Sequence, residues 1–292
     1  MFQKPETKNF YTKRSTSSNR SEEKFFVQAR KSLGQNFLRS PGILKKIVDA
    51  GDIRAGEIVL EIGPGEGTLT RELLSRNAQV IAVEKDDRLI PILSEKFSKE
   101  IASGQLQLVH ADILKVNLDS LKLTANSYKL IANIPYYITG AIFKKFLESE
   151  HQPTTIVVLT QKEVADRIVA REGKQSILSI SIKAYGTPTL TQKVPRGAFV
   201  PAPNVDSAIL AITNISKTFF AELDEKKFFE ILKQGFGSKR KKLLNNLPGE
   251  KPALEKLFSE LNIPHDIRAE DLSVEHWKTL AMRLGETNFQ NQ

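Results

Sequence analysis

The chain contains no cysteine, which excludes disulfide scaffolds, thiolate zinc sites, iron–sulfur clusters and any thiol nucleophile. No apolar run approaches the ~18 residues that a membrane-spanning helix needs, and no short apolar stretch follows the basic N-terminus as a signal peptide would require. A soluble, reducing, cytoplasmic setting is therefore the expectation. Internal repeats are missing. The four histidines, His110, His151, His265 and His276, stand at no metal-binding or catalytic spacing, so no metal site is expected. What the chain does have is material for a core: 40% of its 292 residues are hydrophobic, enough for about two domains at roughly 150 residues each. A net charge of +9 is compatible with a polyanionic partner without demanding one.

The charge is unevenly spread. Residues 1–30 carry seven cations against three carboxylates in a stretch rich in Ser, Thr and Asn with no apolar period. Such a tail is expected to be disordered, either a solvated arm or a non-specific phosphate-binding one. Its early Glu6 and the Glu22-Glu23 pair sit poorly with an organellar transit peptide. From Lys31 to about Asn214 apolar strands alternate with amphipathic helices. Strands are expected at 57–62, 80–83, 106–109, 129–132 and 155–159, with helices at 41–50, 68–76, 88–98, 138–148 and 161–171. This βαβα text predicts an α/β fold: a mostly parallel, Rossmann-like sheet with helices on both faces. Residues 177–184 alternate as a strand would and are ambiguous. Beyond Asn214 strand signals stop, and residues 215–292 read as a small helical domain. Phe228, Phe229, Leu232 and Phe236 mark one apolar face there, and Leu243, Leu244 and Leu247 a second. Between them Lys239, Arg240, Lys241 and Lys242 place four cations in one expected helical turn, either a solvated helix start or a phosphate contact.

The chemistry begins at Glu61-Ile62-Gly63-Pro64-Gly65-Glu66-Gly67. A strand that ends in closely spaced glycines and opens into a helix lets the backbone approach a ligand. The pattern is acidic-x-Gly-x-Gly-x-Gly rather than the Gly-x-Gly-x-x-Gly of a dinucleotide site. Glu84 closes the next strand 21 residues beyond Gly63, where a carboxylate can accept both hydrogen bonds of a ribose diol. Asp112 follows the third strand, placed for an adenine amine, and Asn133 ends the fourth. Polar groups at the carboxyl ends of successive strands mark the edge where open α/β sheets bind ligands. Asn133-Ile134-Pro135-Tyr136 is the most specific element, although a Pro-containing strand-to-helix turn alone would explain these four residues.

That tetrapeptide resembles the Asn-x-Pro-Tyr motif of adenine-N6 methyltransferases, which use S-adenosyl-L-methionine. An exocyclic amine is a poor nucleophile because its lone pair is delocalised into the ring. The Asn133 side-chain oxygen and the Ile134 carbonyl can accept its two N–H bonds, and Tyr136 offers a face to an extruded base. Gly34 to Leu38, Gln161 to Ala165 and Ala198 to Ser207 are similar to segments of the ribosomal RNA adenine dimethyltransferase family, and Phe236 to Leu244 and Arg268 to Ser273 to the C-terminal part of its small-subunit members. The resemblance runs from about Lys31 to Leu284. It implies a class I methyltransferase sheet over 31–214, with cofactor contacts at Asn36, Leu38, Gly63, Gly65, Glu84, Asp112 and Asn133. Catalytic groups fall on Asn133, Ile134, Pro135 and Tyr136, with Phe199 as a ring opposite Tyr136. Phe199 read by itself is a strand-end core residue. The resemblance also implies an RNA-binding C-terminal domain bearing Lys239, Arg240, Lys241 and Lys242, and a helix at 177–184.

Two departures touch the RNA-facing loop: Gln175-Ser176-Ile177 stand where Tyr-Gly often precedes Leu-Ser, and Asn204 stands where Lys is usual. The implied reaction dimethylates two adjacent adenosines near the 3′ end of small-subunit rRNA on an assembling pre-30S particle, with a monomer as the expected state and no membrane partner. Rival readings are the large-subunit dimethyltransferases of macrolide resistance, a non-catalytic RNA-binding assembly or transcription factor, and a nicotinamide oxidoreductase, which the glycine spacing disfavours.

Overall fold

The computed structural model describes residues 28–30 and 33–287. The disorder expected for the basic tail therefore falls, but for its last three residues, outside the described part. In chain order the first part of the described chain comprises β1 (Phe37–Leu38), α1 (Pro41–Ala50), β2 (Ile58–Ile62), α2 (Thr68–Ser75), β3 (Gln79–Glu84), α3 (Leu89–Lys96), α4 (Ser98–Ala102), β4 (Leu106–His110), β5 (Tyr128–Asn133) and α5 (Thr139–Leu147). It continues with β6 (Thr155–Gln161), α6 (Lys162–Val169), α7 (Ile177–Lys183), β7 (Thr187–Val194), β8 (Phe199–Val200) and β9 (Ser207–Thr213). Helices α8 (Glu225–Gly235), α9 (Lys251–Glu260) and α10 (Val274–Thr287) follow.

Seven strands form one sheet in the order β4-β3-β2-β5-β6-β9-β7. The first five run parallel, and β9 pairs antiparallel with both β6 and β7. The chain winds outward in one direction from β2 through β3 to β4, then returns to β5 beside β2 and winds the other way. The carboxyl ends of β2 and β5 thus flank the topological switch, where such sheets open a crevice. Strands buried on both faces need near-continuous apolar text, and β6 exposes none of its seven residues. Leu60, Leu130, Ile156 and Leu210 feed the core on one face, while Val59, Ile131, Val157 and Ile209 feed the other. Strands β7 and β9 went unforeseen in the sequence. The former is the sheet edge, alternately exposed along most of its length and interrupted by Pro188, a residue that edges tolerate.

Residues 177–183 are helical despite their alternating pattern. Ser176 caps the helix by accepting from the Ser179 N–H at 3.1 Å. The alternation arises because this helix is wedged between two cores: Ile182 joins the sheet core, whereas Ile180 and Ala184 join the cluster built by the C-terminal helices. That cluster therefore reaches back across Asn214 and is not closed upon residues 215–292 alone. The helix expected over 88–98 breaks at Phe97, whose ring is directed at Gly67: a Cβ built on that glycine would lie 2.5 Å from it. Helix α8 stops at Gly235, and residues 237–242 form a loop rather than the helical turn anticipated for the four cations. The Asn246 amide explains the stop, donating to the carbonyls of Gly235 at 2.8 Å and Ser238 at 3.1 Å and so pinning the chain in a non-helical path. Leu243 and Leu244, expected on a further helix, lie on a single 3-10 turn but are buried as anticipated.

Candidate active site

A cleft with about 1170 Å³ of empty volume, counting its open mouth, lies over the carboxyl ends of β2, β3, β4 and β5. Its floor is the glycine loop. Gly63, Gly65 and Gly67 all have positive φ, at 66°, 58° and 74°, a conformation that side chains disfavour by roughly 1–2 kcal/mol each. Their neighbourhoods differ. A Cβ on Gly65 would stand 3.1 Å from the Phe37 ring and one on Gly67 would collide with Phe97, whereas one on Gly63 would meet no atom within 4 Å. Gly65 and Gly67 serve packing, and Gly63 faces open cleft.

Carboxylates surround this space. Glu61, on a strand otherwise apolar, is 1% exposed, and neither of its oxygens has a hydrogen-bond partner among the described residues. Burial pushes its carboxyl up to about 8, against the opposing effect of nearby Thr70 and with the Glu84 charge adding to it. Glu84 is buried but satisfied: Oε1 accepts from the N–H groups of Lys85 and Asp86, both at 2.8 Å, and Oε2 accepts from Gly65 N–H at 3.1 Å. Burial still raises its carboxyl above the ordinary value, partly offset by those backbone donors. Asp112 lies across the mouth, where the Lys85 ammonium at 2.9 Å holds its carboxyl below the usual range.

The wall opposite is Asn133-Ile134-Pro135-Tyr136. The Asn133 Nδ2 donates to the Asn36 carbonyl at 3.2 Å, which orients the amide and leaves Oδ1 as the remaining acceptor. Pro135 is extended, with φ −57° and ψ 135°, and ends the strand before the 3-10 turn that carries Tyr136. The Tyr136 hydroxyl is fixed on the buried Ser207 hydroxyl at 2.6 Å, and burial raises its phenol.

The segment before β1 closes one side. Gln35 Nε2 donates to Asp86 Oδ2 at 2.8 Å, and Arg88 grips the same buried carboxylate through Nε at 3.0 Å and Nη2 at 2.6 Å. Burial alone would raise the Asp86 carboxyl, but the Arg88 and Gln35 donors hold it far below the carboxylate range. Leu38, 2% exposed, lines the cleft and pairs with Phe199 in the β1–β8 ribbon.

The structure thus gathers Asn36, Leu38, Gly63, Gly65, Glu84, Asp112, Asn133, Ile134, Pro135 and Tyr136 around one cleft. It does not bring Phe199 there. That ring is 3% exposed in the core beneath β1, because Phe199 points inward from its short strand. Glu61, Gln35, Asp86 and Ser207 were missed as site residues. The signal for Glu61 was present: an ionisable residue inside a strand too apolar to tolerate one without a reason. Lys239, Arg240, Lys241 and Lys242 are all exposed on their pinned loop, apart from the cleft lining, and none has an ion-pair partner among the described residues. Of the histidines, His151 is held structurally, Nδ1 on the Leu123 carbonyl and Nε2 on Asp119, each at 2.8 Å. No cluster of three metal-binding side chains occurs, and no helix is long and apolar enough to cross a membrane, among the described residues.

Comparison with known proteins shows the family of the chain. The profile of the ribosomal RNA adenine dimethylase family matches residues 26–286. The chain belongs to that family. It is 46% identical over 264 residues to the ribosomal RNA small subunit methyltransferase A of Dehalococcoides mccartyi, covering 89% of this chain and 90% of that protein. It is also similar to the crystal structure of a dimethyladenosine transferase from Plasmodium falciparum, with a TM-score of 0.70, 27% identity and coverage of 86% of this chain and 97% of that one. The 23S rRNA methyltransferase ErmE superposes with a TM-score of 0.69 at 28% identity, covering 86% of this chain and all of that one. The protein is an rRNA adenine dimethyltransferase with a class I methyltransferase sheet, and its cofactor is S-adenosyl-L-methionine. The residues fit that group: the cleft offers a buried Glu61 whose oxygens lack hydrogen-bond partners among the described residues, two further carboxylates and a glycine whose side-chain space is empty.

Proposed function

We propose that the protein transfers two methyl groups to N6 of each of two adjacent adenosines in the 3′-terminal hairpin loop of small-subunit rRNA, acting as a cytoplasmic monomer on the assembling pre-30S particle. The observation that supports this reading is the Asn133 amide, whose Nδ2 donates to the Asn36 carbonyl at 3.2 Å, which leaves its Oδ1 to accept from a substrate in the cleft it lines. When bound, the cofactor supplies an electrophilic methyl on a cationic sulfur. Glu61, Glu84, Asp112 and Gly63, at the carboxyl ends of the strands, would hold it, together with Asn36 and Leu38, which line the same cleft. Asn133 Oδ1 and the Ile134 carbonyl would accept the two N–H bonds of the adenine amine and so orient it for attack. Tyr136, braced by Ser207, presents its ring to the swung-out base. No general base is assigned, because the amine becomes acidic as it gains the methyl and sheds its proton to water. Phe199 acts at one remove, through its register pairing with Leu38. Residues 31–214 form the catalytic domain, and residues 215–292 carry the exposed cations toward RNA phosphates.

The small-subunit assignment is favoured over the large-subunit class because the relative named for the small subunit is 46% identical, against 28% for ErmE. Purified small and large subunits lacking the modification, incubated with the protein and isotopically labelled cofactor, test it. Label as dimethyladenosine on the small subunit alone is expected. Label on the large subunit transfers the assignment to the other class, and no label on either contradicts the proposal.

A further inference from the structure

Five large apolar side chains are exposed among the described residues, and four of them, Leu114, Tyr137, Val200 and Val205, stand on the segments after β4 and β5 and just before β9 that lead to the active-site edge. Tyr137 is the most exposed of the five at 67%, against 48% for Val200 and 45% for Val205. It follows Tyr136 directly on the same 3-10 turn and lines the cleft. The two tyrosines divide sharply. Tyr136 turns inward and spends its hydroxyl on Ser207, while the Tyr137 hydroxyl has no hydrogen-bond partner among the described residues and is near enough to feel the charge of the Lys85 ammonium. One edge of the Tyr137 ring lies over Gly34: a Cβ built there would stand 3.2 Å from Cε1 and 3.4 Å from Cδ1, and 3.3 Å from the Pro135 Cβ. A backbone without a side chain thus lets the ring settle beside Pro135 with most of its surface in water.

Resting on the proposed function, we infer that Tyr137 is a substrate-positioning residue, a stacking platform for the nucleotide adjacent to the adenosine under attack. Drawing one base out of an RNA loop unstacks its neighbours. An exposed aromatic ring one residue from the inward ring offers the next base a surface to replace what it loses, and such stacking is tolerant of base identity. The location fits a reaction on consecutive nucleotides, since the two rings are joined by one peptide bond and face different directions. Leu114, Val200 and Val205 extend the apolar rim. A place over the cofactor is the competing role for the ring, and it is separable by experiment.

The probe is a small-subunit 3′-terminal hairpin RNA with 2-aminopurine replacing the adenosine next to the target. With wild-type protein its fluorescence is expected to be quenched at saturation, and Tyr137→Ala is expected to leave it bright. Tyr137→Ala should also weaken binding of the hairpin about fivefold or more, the low end for loss of one base–aromatic stack. Tyr137→Phe and Tyr137→Trp should restore affinity and quenching. The S-adenosylhomocysteine dissociation constant, measured by calorimetry, should stay within twofold in all three variants. Unchanged quenching and RNA affinity in Tyr137→Ala, or no quenching by the wild type, overturns the inference. A selective loss of S-adenosylhomocysteine binding moves the ring to the cofactor and overturns it too. Failure of the proposed function is distinct: wild-type protein would then leave small-subunit adenosines unmethylated.

Discussion

Gly63 and Gly67 share a left-handed backbone yet should fail in different ways when replaced by alanine. At Gly67 the strain of φ 74° is compounded by steric overlap, since the new methyl would sit 2.5 Å from Phe97 Cε2 and 2.9 Å from Leu93 Cδ2. Backbone strain of roughly 1–2 kcal/mol and overpacking of roughly 1–3 kcal/mol together give a stability loss of about 2–5 kcal/mol for Gly67→Ala. At Gly63 the strain is of the same order, but nothing lies within 4 Å of the added carbon. Gly63→Ala should therefore cost only about 1–2 kcal/mol of stability. Its methyl projects into the cleft, where overpacking of roughly 1–3 kcal/mol corresponds to about a 5- to 150-fold loss of cofactor affinity. Urea unfolding reads the first quantity and calorimetric titration with S-adenosyl-L-methionine the second. Gly63→Ala binding the cofactor as tightly as wild type would show that the loop does not face the ligand and would refute the assignment of the cleft.

Glu61 makes the ligand-free protein pH-sensitive. Its proton is held in the folded state up to about pH 8, whereas the unfolded chain releases it near 4.5, so the folded state binds more protons between those values. Stability of the free protein should fall as pH rises through that window, and Glu61→Gln should flatten the profile and exceed wild type above it; parallel profiles would contradict the burial argument. Asn133→Ala removes one oriented acceptor and should lower the methyl-transfer rate by about 10²-fold or more, while RNA affinity stays within about twofold because phosphate contacts dominate it. Single-turnover kinetics at a normal rate would remove Asn133 from the chemistry. Replacing Lys239, Arg240, Lys241 and Lys242 together with glutamine should weaken RNA binding and flatten the log–log salt slope by up to about 3, at about 0.7 for each phosphate no longer neutralised. An unchanged slope would return those cations to the solvent.

Much of the fold was legible because the parallel strands are buried on both faces and leave continuous apolar text, as in Ile156 to Leu159. The glycine spacing and the polar residues at successive strand ends located the cleft for the same reason: only the strand termini of such a sheet can carry them. Legibility failed where one segment serves two environments. Ile177 to Lys183 packs against two cores at once, so its apolar residues depart from the helical period. The cationic stretch reads as a helix because no local signal announces that Asn246, several residues on, will bind the carbonyls of Gly235 and Ser238. Phe199 carries the same letter whether it lines a cleft or fills a core, and its burial at 3% exposure is set by the packing of a two-stranded ribbon that no local pattern announces. The Gln35–Asp86 and Tyr136–Ser207 hydrogen bonds join residues 51 and 71 positions apart, beyond any spacing rule.

If this cleft methylates paired adenosines of small-subunit rRNA, mass spectrometry of that rRNA from cells lacking the protein tests it most directly. Two adjacent unmodified adenosines are expected near its 3′ end, dimethylated again when the wild-type gene is returned and not when the Asn133→Ala gene is. Dimethyladenosine persisting at both positions in the deleted strain would contradict the account.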